Sequence, residues 1–269
     1  MGNQSTLKSH SQQLTPAVSL QCDGNLAIVQ LTRPEKHNAV NEQTLKGIAQ
    51  AQKILKKNKA IRAVIITGEG SSFCSGLDFP SIMKRPGVAA LLYLKLFWPF
   101  ANLFQQWSMG WRNLKVPVIA VVKGHCYGAG MQLALGADFR FAHTDSQLSV
   151  MEIKWGLIAD MGGPTLLREL VRMDVAKELM MTGKKLSATE ALELGLLTRV
   201  DEDPMAQAIE FANTLTKQAP NALAQAKQLI QTAWQQSEHL SLRQERLAQR
   251  RLLGKSEQRA TAKSVLRTR

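Results

Sequence analysis

Two short glycine-bearing segments about fifty residues apart carry the chain's clearest chemical signal: Ser72-Phe73-Cys74-Ser75-Gly76-Leu77-Asp78 and Lys123-Gly124-His125-Cys126-Tyr127-Gly128-Ala129-Gly130-Met131. Each follows a β-branched apolar run, Ala63-Val64-Ile65-Ile66-Thr67 and Pro117-Val118-Ile119-Ala120-Val121-Val122. Each precedes a segment able to form a helix. Strand, tight turn, helix leaves free backbone N–H groups at a helix N-terminus, where negative charge is stabilised. Two such turns that converge can each give one donor to a single oxygen, which is an oxyanion hole made of main chain. Glycine also marks ordinary strand–helix turns, so spacing alone leaves both readings open.

The flanking elements must hold these turns. The run 26–31 is a strand, and Asn41 caps a helix to about Lys57 with Leu45, Ile48, Ile54 and Leu55 on its apolar side. Strands at 61–67 and 117–122 lead into the two turns; a helix at 129–136 and a strand at 139–142 follow. Beyond about residue 160 the pattern is helical: 165–170, 175–181, 189–194, a helix opening at Asp203 or Pro204, one long amphipathic stretch from Asn221 to about Leu253, and a last helix from Ser256. The order implies an α/β fold of stacked ββα units over residues 17–200 and a helical subdomain over 201–269. Residues 1–16 are polar, lack an apolar signal segment and read as a disordered leader.

Composition narrows the class. Of 269 residues 45% are apolar, enough for a globular core. Three cysteines, Cys22, Cys74 and Cys126, have neither disulfide nor zinc spacing, which suits a reducing, cytoplasmic setting. Cys74 and Cys126 read as small buried thiols. His37 and His125 have no partners at metal spacing, so no metal is expected. The apolar stretch 88–104 is interrupted by Lys95 and Pro99 and reads as a buried or substrate-facing helix pair, not a membrane span. The net charge of +13 is concentrated in the last helices, from Arg243 to Arg269. It suits a solvated face or an anionic ligand, and no aromatic-interleaved basic stripe points to nucleic acid.

The turn segments, with Met151-Glu152-Ile153-Lys154-Trp155-Gly156-Leu157-Ile158, Arg33-Pro34-Glu35-Lys36-His37-Asn38-Ala39-Val40-Asn41 and Thr182-Gly183 through Gly195-Leu196-Leu197-Thr198-Arg199-Val200, resemble the crotonase superfamily of enoyl-CoA hydratases and isomerases, in order from about residue 18 to 265. The resemblance implies an acyl-CoA thioester as substrate, with no permanently bound cofactor. It implies a trimer or hexamer formed through the C-terminal helices. The thioester oxygen would be held by the N–H groups of Leu77 and Ala129. Lys36, Ala39, Ser75, Gly76 and Asp78 would contact coenzyme A. The insert between 79 and 115, with Phe97, Trp98 and Trp107, would line an acyl pocket with Trp155, core packing being the other reading for these side chains.

The acid–base residues decide the reaction. In hydratases of the family two glutamates share a water. The second corresponds to Glu152, while the first corresponds to Gln132, whose amide cannot carry a proton. A further carboxylate, Asp160, stands where related double-bond isomerases have one. The resemblance therefore favours an enoyl- or dienoyl-CoA isomerase. A hydratase in which Gln132 only positions water, and a non-catalytic acyl-CoA or RNA-binding scaffold on the same fold, are the alternatives.

Overall fold

The chain was analysed as a computed structural model that describes residues 10–79 and 102–267. Its strands are β1 (His10–Thr15), β2 (Val18–Asp23), β3 (Leu26–Leu31), β4 (Ala63–Gly68), β5 (Val118–Val122), β6 (His125–Tyr127), β7 (Phe139–His143), β8 (Gln147–Ser149), β9 (Leu186–Ser187) and β10 (Arg199–Asp201). The α-helices are α1 (Glu42–Lys57), α2 (Leu103–Met109), α3 (Ala129–Leu135), α4 (Gly163–Leu167), α5 (Met173–Thr182), α6 (Ala188–Glu193), α7 (Pro204–Thr216), α8 (Pro220–Ala233), α9 (Glu238–Leu252) and α10 (Ser256–Arg267).

β1 corrects the expectation of a disordered leader through residue 16. It pairs antiparallel with β2 at the sheet edge, and four of its six residues are exposed. An edge strand gains its order from backbone hydrogen bonds, so a polar sequence hides it from pattern reading.

The main sheet has the order β1-β2-β3-β4-β5-β7-β10. Its first three strands are antiparallel, and β3, β4, β5, β7 and β10 run parallel. β5 is buried throughout and β4 along nearly its whole length, as the uninterrupted apolar runs require of a sheet covered on both faces. Pleating sorts β4 by alternation: Val64 and Ile66 join the large core, while Ala63 and Ile65 meet Ala208 and Ala212 of α7. A second sheet, β6-β8-β9, branches off beside the glycine turns. α1 starts as expected, with an Asn41–Thr44 capping box.

The expected single helix from Asn221 to Leu253 is two helices, α8 and α9, separated at 234–237. α9 packs back on α8 and buries Ala248. Amphipathic spacing runs through both helices, so apolar periodicity alone does not reveal the turn. α8 is tied to the sheet by Lys227, whose Nζ lies 2.7 Å from Asp138 Oδ2 and donates to the carbonyls of Trp111 and Val116 at 3.2 and 2.9 Å. Among the described residues no helix is long and apolar enough to cross a membrane.

Cys74 and Cys126 are fully buried, and burial pushes the Cys74 thiol up to about 12 and raises Cys126 as well. Cys22 is only partly buried. In native protein a disulfide reagent is expected to modify Cys22 at least about tenfold faster than the other two, with all three reacting in denaturant. Equal native rates would mean that the turns open readily.

Candidate active site

The two glycine turns lie at the C-terminal ends of the parallel strands β4 and β5 and are stitched to each other by main chain. Phe73 N donates to Lys123 O (2.7 Å), Cys74 N to His125 O (2.9 Å) and Tyr127 N to Cys74 O (2.9 Å). This proximity explains two glycines. A Cβ on Gly130 would lie 2.4 Å from the Cys74 carbonyl oxygen, so a side chain there would force the turns apart. Gly76 has φ of +101°, and its added Cβ would sit 3.2 Å from Tyr127 O and 3.9 Å from Ala129 N. The first turn thus faces the start of α3, where Ala129 is the first helical residue; its backbone is not in the left-handed region. Among the described residues neither the Leu77 N–H nor the Ala129 N–H donates a hydrogen bond within the protein.

Gln132, one turn into α3, is completely buried. Its Oε1 accepts from the backbone N–H groups of Met161 and Gly163, both at 2.9 Å. These two donors identify which end of the amide is oxygen, so Nε2 must point the other way. It donates to Glu152 Oε1 at 2.5 Å. Glu152 opens a 3₁₀ turn, Glu152–Trp155, which follows β8 after Val150 and Met151. The remaining oxygen, Glu152 Oε2, is buried and has no hydrogen-bond partner among the described residues. The carboxylate also flanks the second turn, since a Cβ on Gly128 would lie 3.4 Å from Glu152 Oε1. Burial raises the Glu152 pKa above the ordinary glutamate value; the hydrogen bond from Gln132 pulls it down and the charge of Asp160 pushes it up. Asp160 ends the same loop. The residue is exposed overall, yet partial burial of its carboxyl raises its pKa too.

Asp160 does not cap the helix that follows it: Gly162 is the N-cap of α4, and no side chain caps it. The rest of the candidate residues divide by place. Ser75 N donates to His37 O at 2.9 Å, and Lys36 is exposed on the adjoining segment. Asp78 is only 8% exposed, and its Oδ2 accepts from Arg33 Nη2 at 3.1 Å, while Arg33 Nη1 donates to Ala39 O at 2.6 Å. That pair braces the 33–41 segment against the first turn, so Asp78 is turned inward rather than toward a solvent-side ligand. Trp107 is in the core, 1% exposed, with its indole N–H donating to Ala129 O at 2.8 Å. It supports α3 from behind instead of presenting an accessible wall. Trp155 is 60% exposed and stacks on Phe79, with ring centroids 4.8 Å apart. Phe97 and Trp98 lie outside the described residues. Among the described residues no group of three potential ligands could hold a metal ion.

Sequence reading missed the backbone donors of Met161 and Gly163 and the Arg33–Asp78 brace. The signal for the first was the Gly162-Gly163 pair: a Cβ on Gly163 would approach Gln132 Oε1 to 3.0 Å. The brace joins residues 45 positions apart and leaves no local trace.

Comparison with known proteins identifies the chain's relatives. The family model described as Enoyl-CoA hydratase/isomerase matches residues 21–267. A short-chain-enoyl-CoA hydratase of Clostridium acetobutylicum is 32% identical over 81% of this chain and 82% of its own length. The mitochondrial Δ(3,5)-Δ(2,4)-dienoyl-CoA isomerase of Rattus norvegicus is 31% identical over 74% of this chain and 63% of its own. The crystal structure of an enoyl-CoA hydratase from a Polaromonas species superposes with a TM-score of 0.86 at 30% identity, covering 94% of this chain and 97% of that one. With the paired glycine turns and the buried carboxylate in place, these matches mean that the chain belongs to the enoyl-CoA hydratase/isomerase family and has its crotonase-type fold.

Proposed function

We propose that the protein shifts a carbon–carbon double bond of an enoyl- or dienoyl-CoA thioester. The observation that carries this reading is the Gln132–Glu152 contact. A hydratase of the kind described above needs two groups that hold and split water. Here one of them is an amide, oriented by two backbone N–H groups so that it donates to Glu152, and an amide has no usable proton. Glu152 Oε2 is left buried and without a hydrogen-bond partner among the described residues.

Isomerisation fits that inventory. Glu152 Oε2 takes a proton from the α-carbon, and the C–H electron pair passes into the thioester to form an enolate. The Leu77 and Ala129 N–H groups bond the enolate oxygen, in a stabilisation typically worth about 10²- to 10³-fold per donor in rate. The electron pair then returns along the conjugated chain, and a remote carbon takes a proton from Asp160 or from Glu152 itself. Net charge and mass are unchanged. Burial raises the pKa of both Glu152 and Asp160, the direction that suits carboxyls exchanging protons, and the hydrogen bond from Gln132 opposes the rise at Glu152. The 33–41 segment would carry the coenzyme's phosphate end near Lys36, and Trp155, exposed and stacked on the half-buried Phe79, would contact the acyl group. The C-terminal helices would form the oligomer.

A panel of 2-enoyl, 3-enoyl and dienoyl thioesters, followed by mass and ultraviolet absorbance, tests the reading. The expected product has unchanged mass and a moved chromophore, and in heavy water it carries deuterium. A product heavier by one water from crotonyl-CoA at a greater rate than any isomerisation would overturn it in favour of hydration. Binding of thioesters with no turnover would overturn it in favour of a scaffold.

A further inference from the structure

The ends of β4 and β5 that lie away from the glycine turns frame a second concave feature, with a cavity volume of about 570 Å³. It is bounded by the C-terminus of α1, the segments entering β4 and β5, and the start of α8. Lys56, Lys59, Arg62 and Lys115 line it, and among the described residues no carboxylate does. Three carboxamides, Asn58, Asn113 and Asn221, stand among them. Lys56, Lys59 and Lys115 are exposed, whereas Leu55, Ile61 and Leu114 form a buried floor. Arg62 is partly held, with Nη2 donating to Gln218 O at 2.7 Å. On the cleft wall Asn221 binds Glu257 of α10, whose two oxygens accept from Asn221 N at 2.9 Å and Nδ2 at 2.5 Å.

Lysines at the end of α1 complement the helix dipole, which accounts for Lys56. It does not account for Lys59, Arg62 and Lys115, which reach the same cleft from two other segments. Four cations around one concavity raise the local positive potential and favour a multiply charged anion over a single carboxylate. These side chains surround an open concavity, not a stripe along the surface. Among the described residues no aromatic side chain lines it as a platform on which a nucleobase could stack.

We propose that this cleft is a binding site for a small oligophosphate-type anion, separate from the thioester site. β4 has six residues and therefore spans about 20 Å between the cleft and the first glycine turn. The inference does not depend on which reaction the thioester site performs.

Pyrophosphate, titrated calorimetrically into the full chain at low salt, is the probe. The triple variant Lys56→Gln/Lys59→Gln/Lys115→Gln should bind it at least about tenfold more weakly, while Lys36→Gln in the 33–41 segment should bind it as the wild type does. Circular dichroism and thermal melting check that the triple variant is folded; its substitutions are all at exposed side chains. Weakening by Lys36→Gln alone would assign the anion to the thioester site and overturn the proposal. Equal weakening by both variants would reduce it to general charge attraction, and no binding by the wild type would remove it. Tighter binding of an oligonucleotide than of pyrophosphate through the same three lysines would replace it with a nucleic-acid surface.

Discussion

Glu152→Gln is expected to lower isomerase turnover by at least about 10²-fold while the fold and thioester binding persist. The replacement keeps the shape and the contact with Gln132 Nε2 but removes the group that takes the α-proton. Loss in kcat with little change in KM is the pattern of an interaction made in the transition state. The same substitution has a signed effect on stability. Burial raises the folded-state pKa of Glu152, so this group's contribution to folding is greatest below the ordinary glutamate value near 4.5 and is lost as pH rises through the higher folded value. Above that folded value the ionised Oε2, which has no hydrogen-bond partner among the described residues, is a cost that the amide avoids. The variant should therefore be at least as stable as the wild type at pH 7, and that relative advantage should shrink toward pH 4. Wild-type turnover in the variant would transfer the chemistry to Asp160. A variant less stable at pH 7 than at pH 4, relative to wild type, would mean that Oε2 is well solvated.

Gln132→Glu is expected to lower isomerisation at least about tenfold at neutral pH and to raise crotonyl-CoA hydration above the wild-type level. One oxygen of the new carboxylate would keep the Met161 and Gly163 donors, and the other would face Glu152 Oε1 at the present 2.5 Å separation. Two carboxylates that close cannot both ionise at ordinary cost, so they share a proton and one pKa rises sharply. A shared proton is harmful to a lone base and useful to a pair that must deliver both parts of water. The bell of kcat against pH should shift toward the alkaline side, because the second carboxyl ionises later. The hydration gain is limited by a pocket built around an amide. Fast hydration by the wild type with no gain in Gln132→Glu would show that the amide never limited the reaction.

Local chemistry in the chain specifies a great deal. Continuous β-branched runs specify β4 and β5 as strands buried on both faces, because only a covered parallel sheet tolerates them. Asn41 specifies the start of α1 through a cap that uses its own neighbours, and the glycines at 76 and 130 mark turns that a side chain would obstruct. The candidates Glu152, Gln132 and Asp160 were legible too, through segments whose order matches a known family. What the chain did not disclose depends on partners far away along it. The edge strand β1 is polar and takes its order from β2. The separation of α8 from α9 depends on packing, since the apolar period is the same on both sides of it. Asp78 has the letters of a ligand contact, yet Arg33 turns it inward. Trp107 has those of a pocket wall, yet its indole is consumed by the Ala129 carbonyl. Above all, the direction of the Gln132 amide is decided by two backbone N–H groups near residue 162, and that direction leaves Glu152 with one free oxygen. Sequence determines which groups are available, because propensity, capping and turn chemistry act between neighbours. Tertiary structure alone decides which of them are spent on each other, because burial and hydrogen-bond pairing are properties of the assembled core.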